Sequence, residues 1–242
     1  MTKSDNSVEY TGNELELFKN ASNWKKYFSK KIGQYIYGAV LEVGVGVGSN
    51  TKYMFNASDK VTSWSLVEPD ASLVSQIETN IKNVSLPNKT IINGTIQAVQ
   101  NKKFDTIIYI DVLEHIEESR REIKLIKEHL NSNGHVIILV PAFNFMFNNF
   151  DKQVGHFRRY NKKLLKDEID DQLSIVNLFY LDSVGFFGSL LNKYILKKEL
   201  PSTKNIYFWD KVMIPLSKKS DILLSSLFGK SLIGIFKNDK NL

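Results

Sequence analysis

The sequence predicts an α/β fold: seven strands, mostly parallel, in one sheet with helices on both faces, an N-terminal helix before it and a helical insertion before the last strand. Three observations carry this expectation. Short apolar runs rich in β-branched residues alternate with amphipathic stretches, as strands and crossover helices do. A triple-glycine turn follows directly on the first run. The 242 residues are 43% hydrophobic with no Pro/Gly/Ser-rich linker, so one large core is expected and nothing divides it.

Trp24, Phe28, Ile32, Tyr35 and Ile36 recur at helical spacing with lysines between them, which predicts an amphipathic helix within an extension over residues 1–37. The runs Ala39 to Val43, Val61 to Val67, Thr90 to Asn93, Phe104 to Ile110 and His135 to Val140 barely alternate, as strands buried on both faces should. Ser49 to Asn56, Pro69 to Ile81 and Glu117 to Leu130 read as the intervening helices, the first capped by Ser49 or Asn50. Ser174 to Tyr180 and Leu232 to Phe236 complete a sheet core of residues 38–181 and 231–238. Residues 182–230 are too long for a hairpin loop and read as a helical cap, with Pro201 and Pro215 breaking its helices. All of this is one domain.

The chemistry begins at Leu41-Glu42-Val43-Gly44-Val45-Gly46-Val47-Gly48-Ser49. Glycines let a strand-to-helix turn bend sharply and approach a ligand, at the carboxyl end of the strands where open α/β sheets bind. A phosphate-binding P-loop needs Gly-Lys-Ser/Thr, but Gly48 precedes Ser49 and Asn50; a dinucleotide fingerprint needs glycine where Ser49 stands. Glu68 ends the second strand about twenty positions on, where a carboxylate can take hydrogen bonds from a ribose diol.

Taken together, Leu41 to Gly48, Leu-Val-Glu-Pro-Asp (66–70), Phe104 to Ile116 and Asn133 to Pro141 resemble class I S-adenosylmethionine-dependent methyltransferases in motif order and spacing. The resemblance implies a Rossmann-like sheet, S-adenosyl-L-methionine as cofactor, and cofactor contacts from Glu42, Gly44, Gly46, Gly48, Glu68, Pro69, Thr95, Asp111, Val112 and Leu113. Many relatives carry an acid near Thr95 to meet the adenine amino group; here Thr95 or a backbone carbonyl takes that part. Methyl transfer is an in-line displacement on an activated carbon, so alignment supplies most of the acceleration and a base is needed only where the acceptor loses a proton.

On the acceptor side, His115 is either a base or a structural histidine of its loop. The stretch from Pro141 to Tyr160 is too polar for core and too aromatic for a linker: Phe143, Phe145, Met146, Phe147 and Phe150 suit a pocket wall or lid. Its Gly-His-x-Arg-Arg-Tyr run resembles a motif of a bacterial and archaeal subgroup of these enzymes. His156 is the expected general base, with His115 and Tyr160 as further catalytic candidates and Phe143 lining the acceptor pocket. Arg158 and Arg159 either hold an anionic substrate group or pair with Asp151 or Asp167 and fix the loop. The four histidines are widely spread with no HExxH and there is no cysteine, so no metal site is expected.

These features favour a small-molecule or lipid-linked saccharide methyltransferase over three competitors. A nucleic-acid methyltransferase would suit a pI near 9.2, but the Asn/Asp-Pro-Pro-Tyr/Phe type of motif is missing. An oxidoreductase could use Tyr27/Lys31 or Tyr194/Lys198, yet the first pair precedes the glycine loop and the second lies in the cap. The third is a non-catalytic cofactor-binding peripheral membrane protein. Residues 193–242 hold ten lysines and four acids, the whole net charge of +6, which suits an anionic membrane surface or acceptor better than a duplex. The polar stretch Met1 to Glu14 lacks the basic start and apolar run of a signal peptide, so a cytoplasmic protein is expected, with contact at the inner membrane face left open.

Overall fold

The computed structural model describes residues 14–58, 60–196 and 201–239; most of the polar N-terminal stretch, Lys197 and Lys198 lie outside the described residues. Strands β1 (Tyr37–Val43), β2 (Lys60–Glu68), β3 (Thr90–Asn93), β4 (Phe104–Ile110), β5 (Leu130–Pro141), β6 (Ser174–Leu181) and β7 (Ser231–Lys237) form one sheet in the order β3-β2-β1-β4-β5-β7-β6. The first five run parallel and β7 is antiparallel to both its neighbours. The expected seven-stranded, mostly parallel α/β architecture is therefore the one observed. β5 begins earlier than the expected His135: Leu130, expected to end a helix, pairs with Phe104, the register shifts, and Asn133 takes φ 64° before the regular ladder starts at His135.

Helices α1 (Glu14–Phe18), α2 (Ser22–Ile32), α3 (Thr51–Phe55), α4 (Ala71–Ile81), α5 (Ser119–His129), α6 (Asn149–Gln153), α7 (Lys162–Ile169), α8 (Ser183–Leu191), α9 (Thr203–Phe208) and α10 (Ile214–Leu224) cover the sheet. Alternate residues of a strand feed opposite layers. Ile108 and Ile110 pack with Trp24, Phe28, Trp64 and the cap residues Trp209 and Ile214; Ile107 and Tyr109 pack with Ile123, Ile126, Leu165 and Ile169. The short helices α6 and α7 fall within what the apolar pattern leaves as loop. Their signals are caps: Asn148 accepts from the Phe150 N–H while Asp151 accepts from the Asn148 N–H, and Asn161 accepts from the Leu164 N–H.

The cap is helical as expected, but Pro215 does not break it. α9 runs through a π-helical turn, Trp209–Met213, into α10, and Pro215 follows directly on that turn as the second residue of α10. Three buried carboxylates pin cap to core. Asp182, at φ 65°, accepts from Trp209 Nε1 (2.6 Å) and Ser217 Oγ (2.7 Å); Asp221 accepts from the Tyr27 hydroxyl (2.9 Å) and the Asp182 N–H (2.7 Å); Asp210 accepts from the Trp24 N–H (2.9 Å). These bonds draw α2 and the cap over the carboxyl ends of β1, β2 and β4. No helix among the described residues is long and apolar enough to cross a membrane.

Candidate active site

β1 runs straight into the glycine turn, and Gly44, Gly46 and Gly48 all take left-handed φ values, 66°, 57° and 78°. A Cβ on Gly44 would lie 2.5 Å from Val112, so the turn can close on the end of β4 only with glycine there. Beneath the turn, buried Glu42 accepts from Trp64 Nε1 (2.9 Å) and Thr51 Oγ1 (3.0 Å), and burial pushes its carboxyl up to about 7. Beside the turn, Glu68 accepts from the Gly46 N–H at 2.8 Å with one oxygen and from the Asp70 N–H at 3.0 Å with the other. A carboxylate has about four acceptor positions, so capacity for further donors remains.

Ser49 and Asn50 do not cap α3 with their side chains as expected. Instead Lys25 of α2 reaches the turn, its Nζ donating to Ser49 Oγ (2.8 Å) and to the Lys19 carbonyl (2.9 Å). Burial, helped by Lys52, lowers its pKa to about 8.

The turn opens on a cavity of about 1130 Å³ lined by Gly44, Gly46, Glu68, Pro69, Thr95, Asp111 and Val112, and continuing to His115, His156 and Arg159. Of the residues expected at the site, Glu42, Gly48, Leu113, Phe143, Phe145, Phe147, Arg158 and Tyr160 do not line it. Glu42 and Leu113 are in the core, and Gly48 packs against Ile77 and Ile81. Phe143 stacks on Tyr180 with ring centroids 4.9 Å apart, while Met146 and Phe150 supply the apolar wall. Tyr160 is fully buried, its hydroxyl 3.5 Å from the Leu113 carbonyl. Arg158 donates to the carbonyls of Ile116 (3.0 Å) and Glu117 (2.6 Å) and to Ser119 Oγ (2.9 Å), which locks the loop between β4 and α5.

A cluster of titratable groups lies at the end of β4. Asp111 stands at φ 54° with its side chain open to the cavity, and desolvation raises its pKa while Lys230 opposes the shift. Asp151 takes both arms of Arg159, at 2.8 Å each, and one of its oxygens also meets His156 Nδ1 at 2.9 Å. Burial works against ionisation of Asp151, but the hydrogen bonds from His156 and Arg159 win and hold it at about 2. Since Asp151 is a carboxylate, His156 Nδ1 must donate, which leaves Nε2 as the acceptor nitrogen of the neutral ring. The His115 ring stands perpendicular to it with centroids 4.5 Å apart, its pKa lowered to about 4 by burial and by His156. Glu114, fully buried, is pushed well up by burial and by Asp111.

Lys25, Glu114 and Lys230 also line the cavity, and sequence reading gave none of them a role. Lys25 sits among the lysines of an amphipathic helix, and Lys230 enters only as part of the charge of residues 193–242, which suits an anionic membrane surface or acceptor. Lys230 in fact lies 4.5 Å from the Trp209 ring centroid with its pKa lowered by burial.

A methyltransferase domain family matches residues 16–172. The chain belongs to this family. Solved structures with the same fold include the complex between the Haloferax volcanii Trm112 methyltransferase activator and its methyltransferase, at 8% identity and a TM-score of 0.66 over 96% of this methyltransferase and 100% of that chain. The N-methyltransferase NodS from Bradyrhizobium japonicum WM9, in complex with S-adenosyl-L-homocysteine, gives 12% identity and a TM-score of 0.58 over 96% and 93%. The [4+2]-cyclase SpnF gives 12% and 0.59 over 94% of each chain. No curated protein matches the methyltransferase by sequence. Identities this low establish the fold, and the cyclase shows that the fold alone does not fix the reaction.

Proposed function

We propose that the protein moves a methyl group from S-adenosylmethionine to a small-molecule or lipid-linked saccharide acceptor that carries an anionic group, with His156 as general base. The observation that carries this reading is one cavity lined both by the glycine turn and Glu68 and by the hydrogen-bonded Asp151–His156 pair. The residues fit the cofactor. Glu68 keeps acceptor capacity for a ribose diol, Pro69 and Thr95 flank the position for the adenine, and Asp111 with Val112 closes the floor. A loop without lysine and a carboxylate facing the cavity suit a sulfonium better than a phosphate. Bound there, S-adenosylmethionine supplies a methyl group on a cationic sulfur, already activated for displacement. Glu42 supports the turn from below instead of touching the cofactor.

Lys25 takes the cofactor carboxylate. Lys25→Met is expected to weaken S-adenosylhomocysteine binding roughly 10- to 100-fold, the range of a lost charged hydrogen bond. The sign of the pH effect follows from a lysine that loses its proton near pH 8. Affinity should hold below that value and fall as the pH rises through it, measured by calorimetry. The variant should lack this break, which separates Lys25 from the ligand's own amine; an identical break in the variant would remove the assignment.

On the acceptor side the hydrogen bond from His156 to Asp151 fixes the ring so that Nε2 can take a proton, the logic of a His–Asp pair. Both arms of Arg159 are occupied by Asp151 and Arg158 lies outside the cavity, so the anionic group of the acceptor falls to Lys230. Transfer of tritiated methyl from the cofactor into a bacterial lipid extract, run beside transfer RNA and DNA, tests the acceptor class. Label in nucleic acid and none in lipid or small molecules would replace it.

The cap supports a membrane-facing reading. Phe187, Leu191, Tyr207, Ile222, Leu223 and Leu227 are exposed, interleaved with Lys193, Lys204 and Lys219. Apolar side chains ringed by lysines suit the surface of an anionic bilayer. The protein should sediment with vesicles containing phosphatidylglycerol, and the double variant Lys218→Gln/Lys219→Gln should reduce partitioning about tenfold or more, at about 1 kcal/mol per lysine. A parent protein that ignores such vesicles would end this part of the proposal.

A further inference from the structure

We propose that Glu114, His115 and His156 form a binding site for one divalent transition-metal cation of the zinc class. Glu114 and His115 are neighbours in the sequence and His156 is far from both, but the chain after β5 folds back on the end of β4, where the Phe157 N–H donates to the Glu114 carbonyl at 2.8 Å. One ligand atom from each of the three then lies within 4.8 Å of the other two, and His156 Nε2 is 3.9 Å from Glu114 Oε1. Zinc bonds of ~2.0–2.1 Å in a tetrahedron put ligand atoms ~3.3 Å apart, so a modest contraction completes the set.

Each member has what a ligand needs. Glu114 is wholly buried and neither carboxylate oxygen has a hydrogen-bond partner among the described residues. A buried, unbonded carboxylate is costly, and a cation at its oxygens relieves that cost. His156 has its other nitrogen on Asp151, and His115 is hydrogen-bonded to the Gly155 backbone. A carboxylate or backbone partner on the far nitrogen is the arrangement that orients metal-bound histidines. Two imidazoles and one carboxylate select zinc, cobalt or nickel over magnesium or calcium. All three residues line the cavity, so a fourth coordination position opens on the acceptor end.

The site meets the proposed function at one atom. Nε2 of His156 can hold the cation or accept a proton, so the metal-loaded form has no base at this position and does not transfer to an acceptor that must be deprotonated there.

The test is a titration of the full, chelator-treated chain with Co²⁺, followed by visible absorption and by displacement with Zn²⁺. One equivalent should bind with a four-coordinate spectrum, and Glu114→Gln and His115→Ala should each weaken binding about 100-fold, at the upper end of what loss of even an outer partner costs. Retention of the thermal shift with S-adenosylhomocysteine certifies that a variant is folded, and His156→Gln replaces any that is not. An absent cobalt spectrum, or the same affinity in parent and variants, overturns the cation site and leaves the cofactor reading intact. A cobalt site in a parent that ignores S-adenosylhomocysteine does the reverse.

Discussion

His156→Ala is expected to lower methyl transfer about 10²- to 10⁴-fold, the usual contribution of a positioned base, while the thermal shift with S-adenosylhomocysteine stays as in the parent. The separation follows from the geometry. His156 is tied to Asp151, whereas Glu68 is tied to the Gly46 N–H of the glycine turn and to the Asp70 N–H, so the two share no hydrogen-bond partner. His115 is the weaker candidate, because burial and the neighbouring His156 lower its pKa to about 4 and leave it a feeble base at neutral pH. The assay is made with metal chelated, so that a change at Nε2 reports proton transfer alone. Transfer at the parental rate would refute the base assignment.

Glu68→Ala should weaken cofactor binding by about 10²-fold or more, since two charged hydrogen bonds to ribose hydroxyls at about 1.5–3 kcal/mol each are lost. It also frees the N–H groups of Gly46 and Asp70, which Glu68 now accepts, so the glycine turn loses a brace. Glu42→Gln is the contrasting case. Its carboxyl is sealed under the turn by Trp64 and Thr51 and stays out of the cavity, so this change should lower the melting temperature with little change in affinity. Calorimetric titration of both variants with S-adenosylhomocysteine checks the pair. Equal losses of affinity would show that Glu42 and Glu68 act on the cofactor alike.

What the sequence made legible follows from periodicity and from the special needs of glycine. Unalternated runs such as Phe104 to Ile110 had to be buried on both faces, and the positive φ values at Gly44, Gly46 and Gly48 are what the turn demands. Glu68 was legible as a cavity residue only together with the glycine loop: it ends β2 beside that turn and accepts from the Gly46 N–H. Side-chain direction in the loop after β5 was not. Gly-His-x-Arg-Arg-Tyr names five neighbours, but the backbone sends His156 and Arg159 toward the cavity, Arg158 to the carbonyls of Ile116 and Glu117, and Tyr160 into the core. Lys25 was hidden for another reason: its helix reads as amphipathic, and only the packing of α2 under the cap's Asp210 and Asp221 carries that lysine onto the turn. Likewise the widely spaced histidines argued against a cluster, and the parallel sheet with its returning loop brings two of them into ring contact.

The central claim is that the cavity at the glycine turn is an adenosyl-cofactor site. A thermal-shift panel with S-adenosylmethionine, S-adenosylhomocysteine, NADH and ATP tests it most directly. Both adenosyl compounds should raise the melting temperature, by ~5–10 °C at a hundredfold excess over Kd for a chain of this size, and NADH and ATP should leave it unchanged. A shift with NADH and none with either adenosyl compound would contradict the claim.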